Sequence, residues 1–154
     1  MDYVSEHAEL IYVDREQVLH PTPQHAKNTI LLREAKLVKL VVRLKGGDPF
    51  LFGRGAEELS LLIEEGLPFE VVPGVTSAIA ALAYAGIPAT HRDHASSLHI
   101  ITGHARENGA LDIDYDALTR VKGTLVFLMG VSTRKQITDG LLKAGRAADT
   151  PSAI

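Results

Sequence analysis

The sequence predicts an α/β protein built on largely parallel strands. Short apolar runs of four or five residues alternate with amphipathic stretches, and the connections between them are short. Three of those runs also lead directly into a glycine-bearing turn. Open parallel sheets bind ligands beyond the carboxyl ends of their strands, so such turns are where a site is expected.

The elements follow in order. Residues 9–13 (ELIYV) read as a strand, and 23–35 (PQHAKNTILLREA) as a helix with proline in its first turn. A second strand is expected at 40–44 (LVVRL). After a glycine loop, 55–66 (GAEELSLLIEEG) is helical, with Leu59, Leu62 and Ile63 on one face and Gly66 then Pro68 as a stop. Residues 69–72 (FEVV) give a third strand, and PGVTS leads into a small-residue helix ending at Gly86. Residues 87–97 (IPATHRDHASS) lose the periodicity and read as a connection, which puts a domain boundary between residues 90 and 91. The alternation restarts with a strand at 98–102 (LHIIT) and a short helix near 115–121. A strand at 124–128 (TLVFL) follows, then a helix capped by Ser132 or Thr133 and stopped by Gly145. The terminal PSAI reads as the opening of another strand.

Composition narrows the function classes. With 45% hydrophobic and 23% charged residues, the chain can bury a core. A net charge of −3 gives no general affinity for nucleic acid or acidic membranes. The absence of cysteine removes disulfides and thiolate metal sites and fits a reducing compartment. The N-terminal residues MDYVSEHAEL lack a signal-peptide pattern, and no apolar run has the length of a membrane span, so a cytoplasmic protein is expected.

Among the turns, Gly46 and Gly47 after residues 40–44 permit positive φ and close approach of a ligand to the main chain. Asp48 is suited to accept from an ammonium or hydroxyl, and Pro49 holds the turn. A strand-to-helix turn whose glycines only solve geometry is equally compatible. The stretch is neither of the standard nucleotide-binding glycine signatures. Thr76 and Ser77 open a helix, where capping is their commonest use and a polar ligand a second one. Met129, at a strand end before Gly130, is more often core than contact. His91, His94, His99 and His104 cross a loop and a strand without metal-site spacing, so no metal is expected. Arg54 and Arg92 are candidates for pairing with substrate carboxylates. If the strands are parallel, the turns after 40–44 and 69–72 share one rim, and the turn after 124–128 faces them from a second sheet.

Four blocks together, VVRLKGGDPFLFGRGAEE, GLPFEVVPGVTSAIAALAYAGIPATHR, SLHIITGH and GTLVFLMGV, resemble the tetrapyrrole methylase family in order and spacing, from about residue 9 to residue 154. The resemblance implies two α/β domains, over residues 1–90 and 91–154, with S-adenosylmethionine in a cleft between them, usually within a homodimer. It implies methyl transfer to a carbon of uroporphyrinogen III on the way to precorrin-2, sirohaem and cobalamin, with S-adenosylhomocysteine as product. By position, Gly46, Gly47, Asp48 and Leu51 match the cofactor loop, and Thr76 and Ser77 a second cofactor segment. Met129 matches a residue near both cofactor and substrate, and Arg54 is offered as a substrate contact.

The tract 13–24 (VDREQVLHPTPQ) aligns with a segment holding a proton-donating lysine, a place taken here by Arg15, with Asp14 and Val18 where glycines are usual. Family members also open with a strand and a glycine- and proline-rich loop that would precede Met1, and continue through further strands beyond Ile154. Both domains are therefore expected to be partial, with unpaired strand edges and exposed apolar faces. The alternative function is a non-catalytic remnant that binds cofactor or tetrapyrrole, or that only assembles with partner chains.

Overall fold

The computed structural model describes residues 4–13, 23–37, 40–106 and 108–154. Five helices and two strands occur among them: α1 (Gln24–Leu37), α2 (Gly55–Glu64), α3 (Ser77–Tyr84), β1 (Leu98–Thr102), α4 (Tyr115–Arg120), β2 (Thr124–Leu128) and α5 (Arg134–Lys143). The chain divides into two compact units, Met1–Pro73 and Gly74–Ile154. The division falls before α3 because that helix packs against β2, whereas the loss of pattern in residues 87–97 placed a boundary after it.

In the first unit α1 packs on α2. Pro23 stands just ahead of α1, and its carbonyl accepts from the amides of Ala26 and Lys27 at 3.1 and 3.2 Å. Proline there costs nothing, since the first amides of a helix have no intrahelical partner. The Asn28 amide group donates to the Glu57 carbonyl at 2.8 Å, and Lys36 pairs with Glu65 at 2.8 Å, tying the two helices at both ends. Leu62 is the buried apolar side chain of α2. Ile63, expected on the same face, is exposed.

The strands expected at 9–13, 40–44 and 69–72 are not hydrogen-bonded into a sheet among the described residues. Their composition suits a strand, but a strand forms only where a neighbour supplies the opposite ladder. Segment 40–45 still keeps the two-residue period of a pleated chain. Leu40, Val42 and Leu44 are exposed by 81, 73 and 66%, while Val41, Arg43 and Lys45 turn toward the protein. Exposed apolar edges were expected from the sequence, and Phe69, Val72 and Val75 add to them.

The second unit holds a parallel pair in which Leu98 faces Thr124 and Thr102 faces Leu128. Both strands span the residues expected from the sequence. Their connection runs through α4, which packs on α5, and Ile137 of α5 is buried. The hydroxyl of Thr133, at the N-cap position of α5, does not cap the helix. It donates to the Gly103 carbonyl at 2.6 Å, anchoring α5 to the end of β1.

Candidate functional site

The first candidate element is the loop from Lys45 to Gly55, and its backbone is tightly specified. One oxygen of Asp48 accepts from the amides of Phe50 and Leu51 at 2.9 and 3.0 Å, closing an Asx-type turn. The Gly55 amide donates to the Pro49 carbonyl at 2.9 Å, and a Cβ on Gly55 would lie 2.5 Å from that oxygen. Gly47 has φ 69°, and two residues that are not glycine, Phe52 and Arg54, also sit in the left-handed region at φ 54° and 57°. Each such conformation costs about 1–2 kcal/mol without glycine. Strain of that kind persists where the surrounding structure dictates it, and it clusters at ligand sites.

Gly46 differs from the packed glycines. It is exposed, and a Cβ built on it meets nothing within 4 Å. Leu51 is half-buried within the turn. Arg54 is half-exposed and makes a two-pronged pair with Glu57, at 3.0 and 2.6 Å. The Glu57 hydrogen bond holds the Arg54 guanidinium above its ordinary pKa, and Arg54 holds the Glu57 carboxyl below its own. A pair this open to water contributes little to stability.

Behind the loop lies a group that sequence reasoning missed. Glu58 as a whole residue is 4% exposed. One oxygen accepts from Arg43 at 3.1 Å and from Gln24 at 3.2 Å, and the other accepts from Lys45 at 2.7 Å. Burial pushes the Glu58 carboxyl up, but the hydrogen bonds from Lys45 and Gln24 and the charges of Arg43 and Lys45 outweigh it. The carboxyl therefore lies below its ordinary range. The readable signal was two cations at two-residue spacing on one face of a strand-like segment, followed by paired glutamates in a helix.

The second candidate element is the carboxyl-end rim of the parallel pair. The Gly103 amide donates to the Leu128 carbonyl at 2.7 Å, extending the ladder by one rung. A Cβ on Gly103 would lie 2.6 Å from the Cα of Gly130, so the two chains touch through glycine alone. Met129, just past β2, is held at φ 57° and is 51% exposed. That exposure argues against the core role expected of a methionine.

In the same unit Thr76 caps α3, its hydroxyl oxygen accepting from the Ala78 amide at 3.3 Å, and Ser77 is exposed as the first helical residue. Thr76, Ser77 and Met129 thus share one compact unit, and Gly46, Gly47, Asp48, Leu51 and Arg54 lie in the other. The turns at Gly46 and Thr76 were expected on one rim. They fall in different units because α3 packs on β2.

Arg15, Asp14 and Val18 lie outside the described residues. His91 and His94 stack with ring centroids 4.6 Å apart, and His91 Nδ1 accepts from the Asp93 amide at 3.1 Å. His99 Nε2 lies 3.0 Å from the Ser97 hydroxyl. These rings serve local turns and contacts.

The sequence profile of the tetrapyrrole (corrin/porphyrin) methylases matches residues 2–154. The porphyrin biosynthesis protein HemD of Ruminiclostridium josui is 59% identical over 147 residues, covering 96% of this chain and 29% of that protein. A siroheme synthase of Chromobacterium violaceum is 50% identical over 153 residues, covering 99% of this chain and 32% of that protein. The crystal structure of uroporphyrin-III C-methyl transferase from Thermus thermophilus, complexed with S-adenyl homocysteine, aligns with TM-score 0.71 and 43% identity. It covers 89% of this chain and 56% of that one. A cobalt precorrin-4 methyltransferase structure aligns with TM-score 0.63 and 30% identity over 79% of this chain and 51% of that one. The chain therefore spans about a third of the length of these curated relatives and about half of these solved structures. Its fold is that of the tetrapyrrole methyltransferases.

Proposed function

The chain belongs to the tetrapyrrole (corrin/porphyrin) methylase family, and from that we propose that it forms part of an S-adenosylmethionine-dependent C-methyltransferase acting on uroporphyrinogen III. The product is precorrin-2, the branch point toward sirohaem and cobalamin. The reading includes a cytoplasmic homodimer that engages neither nucleic acid nor membrane. Among the described residues no helix is long and apolar enough to cross a membrane. The division of the family's two domains at residues 90 and 91 is part of the same proposal.

The observation that carries the cofactor assignment is the shape of the loop from Lys45 to Gly55. Its left-handed Gly47 and the open space beside Gly46 leave main chain exposed at the end of a strand-like segment. The chemistry fits a ligand that is an amino acid joined to a nucleoside, because main-chain donors and acceptors recognise both parts without demanding charge. Gly46, Gly47, Asp48 and Leu51 are the proposed cofactor contacts of this loop, and Thr76, Ser77 and Met129 are proposed as further contacts by their position in the family pattern. The similar Thermus thermophilus enzyme was crystallised with S-adenyl homocysteine, which supports the same ligand class.

When bound, the cofactor supplies an electrophilic methyl group on a sulfonium sulfur. Displacement onto an electron-rich pyrrole carbon would release S-adenosylhomocysteine and leave one proton to be removed, so the chain's task would be alignment, exclusion of water and acceptance of that proton. Asp48 contributes by fixing the turn through the Phe50 and Leu51 amides rather than by lending a proton. Arg54 would exchange Glu57 for a substrate carboxylate, since its planar fork suits either partner. Arg15 stays protonated at neutral pH, so it would contribute positive charge to a polycarboxylate substrate, not proton transfer.

The test is a product assay with uroporphyrinogen III and S-adenosylmethionine, run on the wild type and on Gly47→Val. Methylated product from the wild type alone is expected. A wild type that binds S-adenosylhomocysteine but never methylates would reduce the reading to cofactor binding.

A further inference from the structure

We propose that Glu58 is the positioning residue that sets the glycine edge of the Lys45–Gly55 loop. The proposal rests on the cofactor reading given above and extends it to a residue that no ligand would touch. The loop leaves the segment at 40–45 and returns in α2, so its geometry depends on how both sides are fastened. The return side is fastened by the Gly55 amide on the Pro49 carbonyl and by the Asp48 turn. Among the described residues no main-chain hydrogen bond holds Gly46 or Gly47. What holds the departing side is Lys45, the residue directly before Gly46, whose ammonium reaches Glu58 at 2.7 Å.

Arg43, two residues earlier on the same face, reaches the other oxygen of Glu58 and also donates to the Leu44 carbonyl at 2.9 Å. Glu58 thus bridges the strand-like segment to the helix that closes the loop, and Gln24 brings in α1. With both oxygens engaged and the side chain 5% exposed, the carboxylate has little freedom to move. Lys45 is 15% exposed, so its ammonium has limited water to replace the partner. The adjacent Glu57 is exposed and already taken by Arg54.

Glu58→Gln preserves volume but turns an amide NH2 toward one of the cations, so Lys45 or Arg43 loses its acceptor. Affinity for S-adenosylhomocysteine is expected to fall by about tenfold or more, as ligand-contacting main chain is released from its bound geometry. Amide exchange at Gly46 and Gly47 is expected to quicken. Glu58→Asp should restore part of the affinity by keeping the charge. Leu62→Ala, which removes a buried side chain of α2 outside the network, should lower the melting temperature with little change in affinity. Glu65→Gln, at an exposed pair on the same helix, should change neither.

Titration calorimetry and hydrogen exchange on the full chain decide the matter. Unchanged affinity and unchanged loop exchange in Glu58→Gln, with the wild type binding, would overturn the positioning role and leave the cofactor reading intact. If Glu58→Gln and Leu62→Ala lose affinity and protection in parallel, Glu58 is merely structural and the proposal fails. A wild type that gives no heat would sink the cofactor reading, and exchange at Gly46 and Gly47 would still decide whether Glu58 sets the loop.

Discussion

Gly103→Ala tests whether the strand-end rim is as crowded as its geometry requires. The new Cβ would start 2.6 Å from the Gly130 Cα and 3.1 Å from both the Gly130 nitrogen and the Ile137 Cδ1. Apolar carbons settle about 3.5–4.0 Å apart, so the two chains must separate by about 1 Å. Neither is free to do so. The Gly103 amide is bound to the Leu128 carbonyl at 2.7 Å, and its carbonyl accepts from Thr133 at 2.6 Å. Overpacking of this sort costs about 1–3 kcal/mol, and each weakened hydrogen bond adds about 1 kcal/mol. The φ of Gly103 is not left-handed, so alanine also stiffens the unfolded chain and returns about 0.4–1 kcal/mol. A net loss of about 2–3 kcal/mol corresponds to a fall in melting temperature of about 4–12 °C for a chain of this size. Thermal melts followed by circular dichroism would show it. An unchanged melting temperature would mean that the β1–β2 ends are not packed through glycine as described.

Three further outcomes are expected. Gly46→Val should leave the melting temperature nearly unchanged, within about 0.5 kcal/mol for an exposed site with no neighbour, yet abolish binding of S-adenosylhomocysteine by calorimetry. Met129→Gly should shift stability by no more than about 1 kcal/mol, because relief of its left-handed φ offsets the removal of a half-exposed side chain; a core methionine would cost about 2–5 kcal/mol in urea denaturation. Glu58 carries a folded pKa below its unfolded value of about 4.3, so its contribution is fully present above that pH and disappears as pH falls through the lower, folded value. Acid melts should show this loss in the wild type and a flatter profile in Glu58→Gln.

The helices and the β1–β2 pair were legible because their signals are local. Pro23 before α1, Thr76 before α3 and the apolar runs at 98–102 and 124–128 specify their elements without outside help. Gly145 at φ 96° ends the last helical stretch in the same way. The runs at 9–13, 40–44 and 69–72 carry equally good strand composition, but pairing belongs to two segments at once, and one segment's residues cannot report the other's position. The compact units divide elsewhere than the periodicity suggests for a related reason: α3 is joined by packing on β2, which sequence periodicity does not encode. The glycine loop was visible as a candidate from its residue types. That Phe52 and Arg54 share its left-handed backbone was not, since neither type favours that region. The Glu58 network escaped notice because paired glutamates in a helix usually face water, and only the fold distinguishes the buried Glu58 from the exposed Glu57.

The most direct measurement is titration calorimetry of the wild-type chain with S-adenosylhomocysteine, repeated with Gly47→Val and Asp48→Ala. Binding with Kd on the order of 1 µM, about −8 kcal/mol, is expected for the wild type. Both variants should lose it, one by forbidding the left-handed turn and the other by removing the acceptor for the Phe50 and Leu51 amides. Wild-type heat that persists undiminished in both variants would contradict the assignment of this loop, and no heat from the wild type would contradict the cofactor site itself.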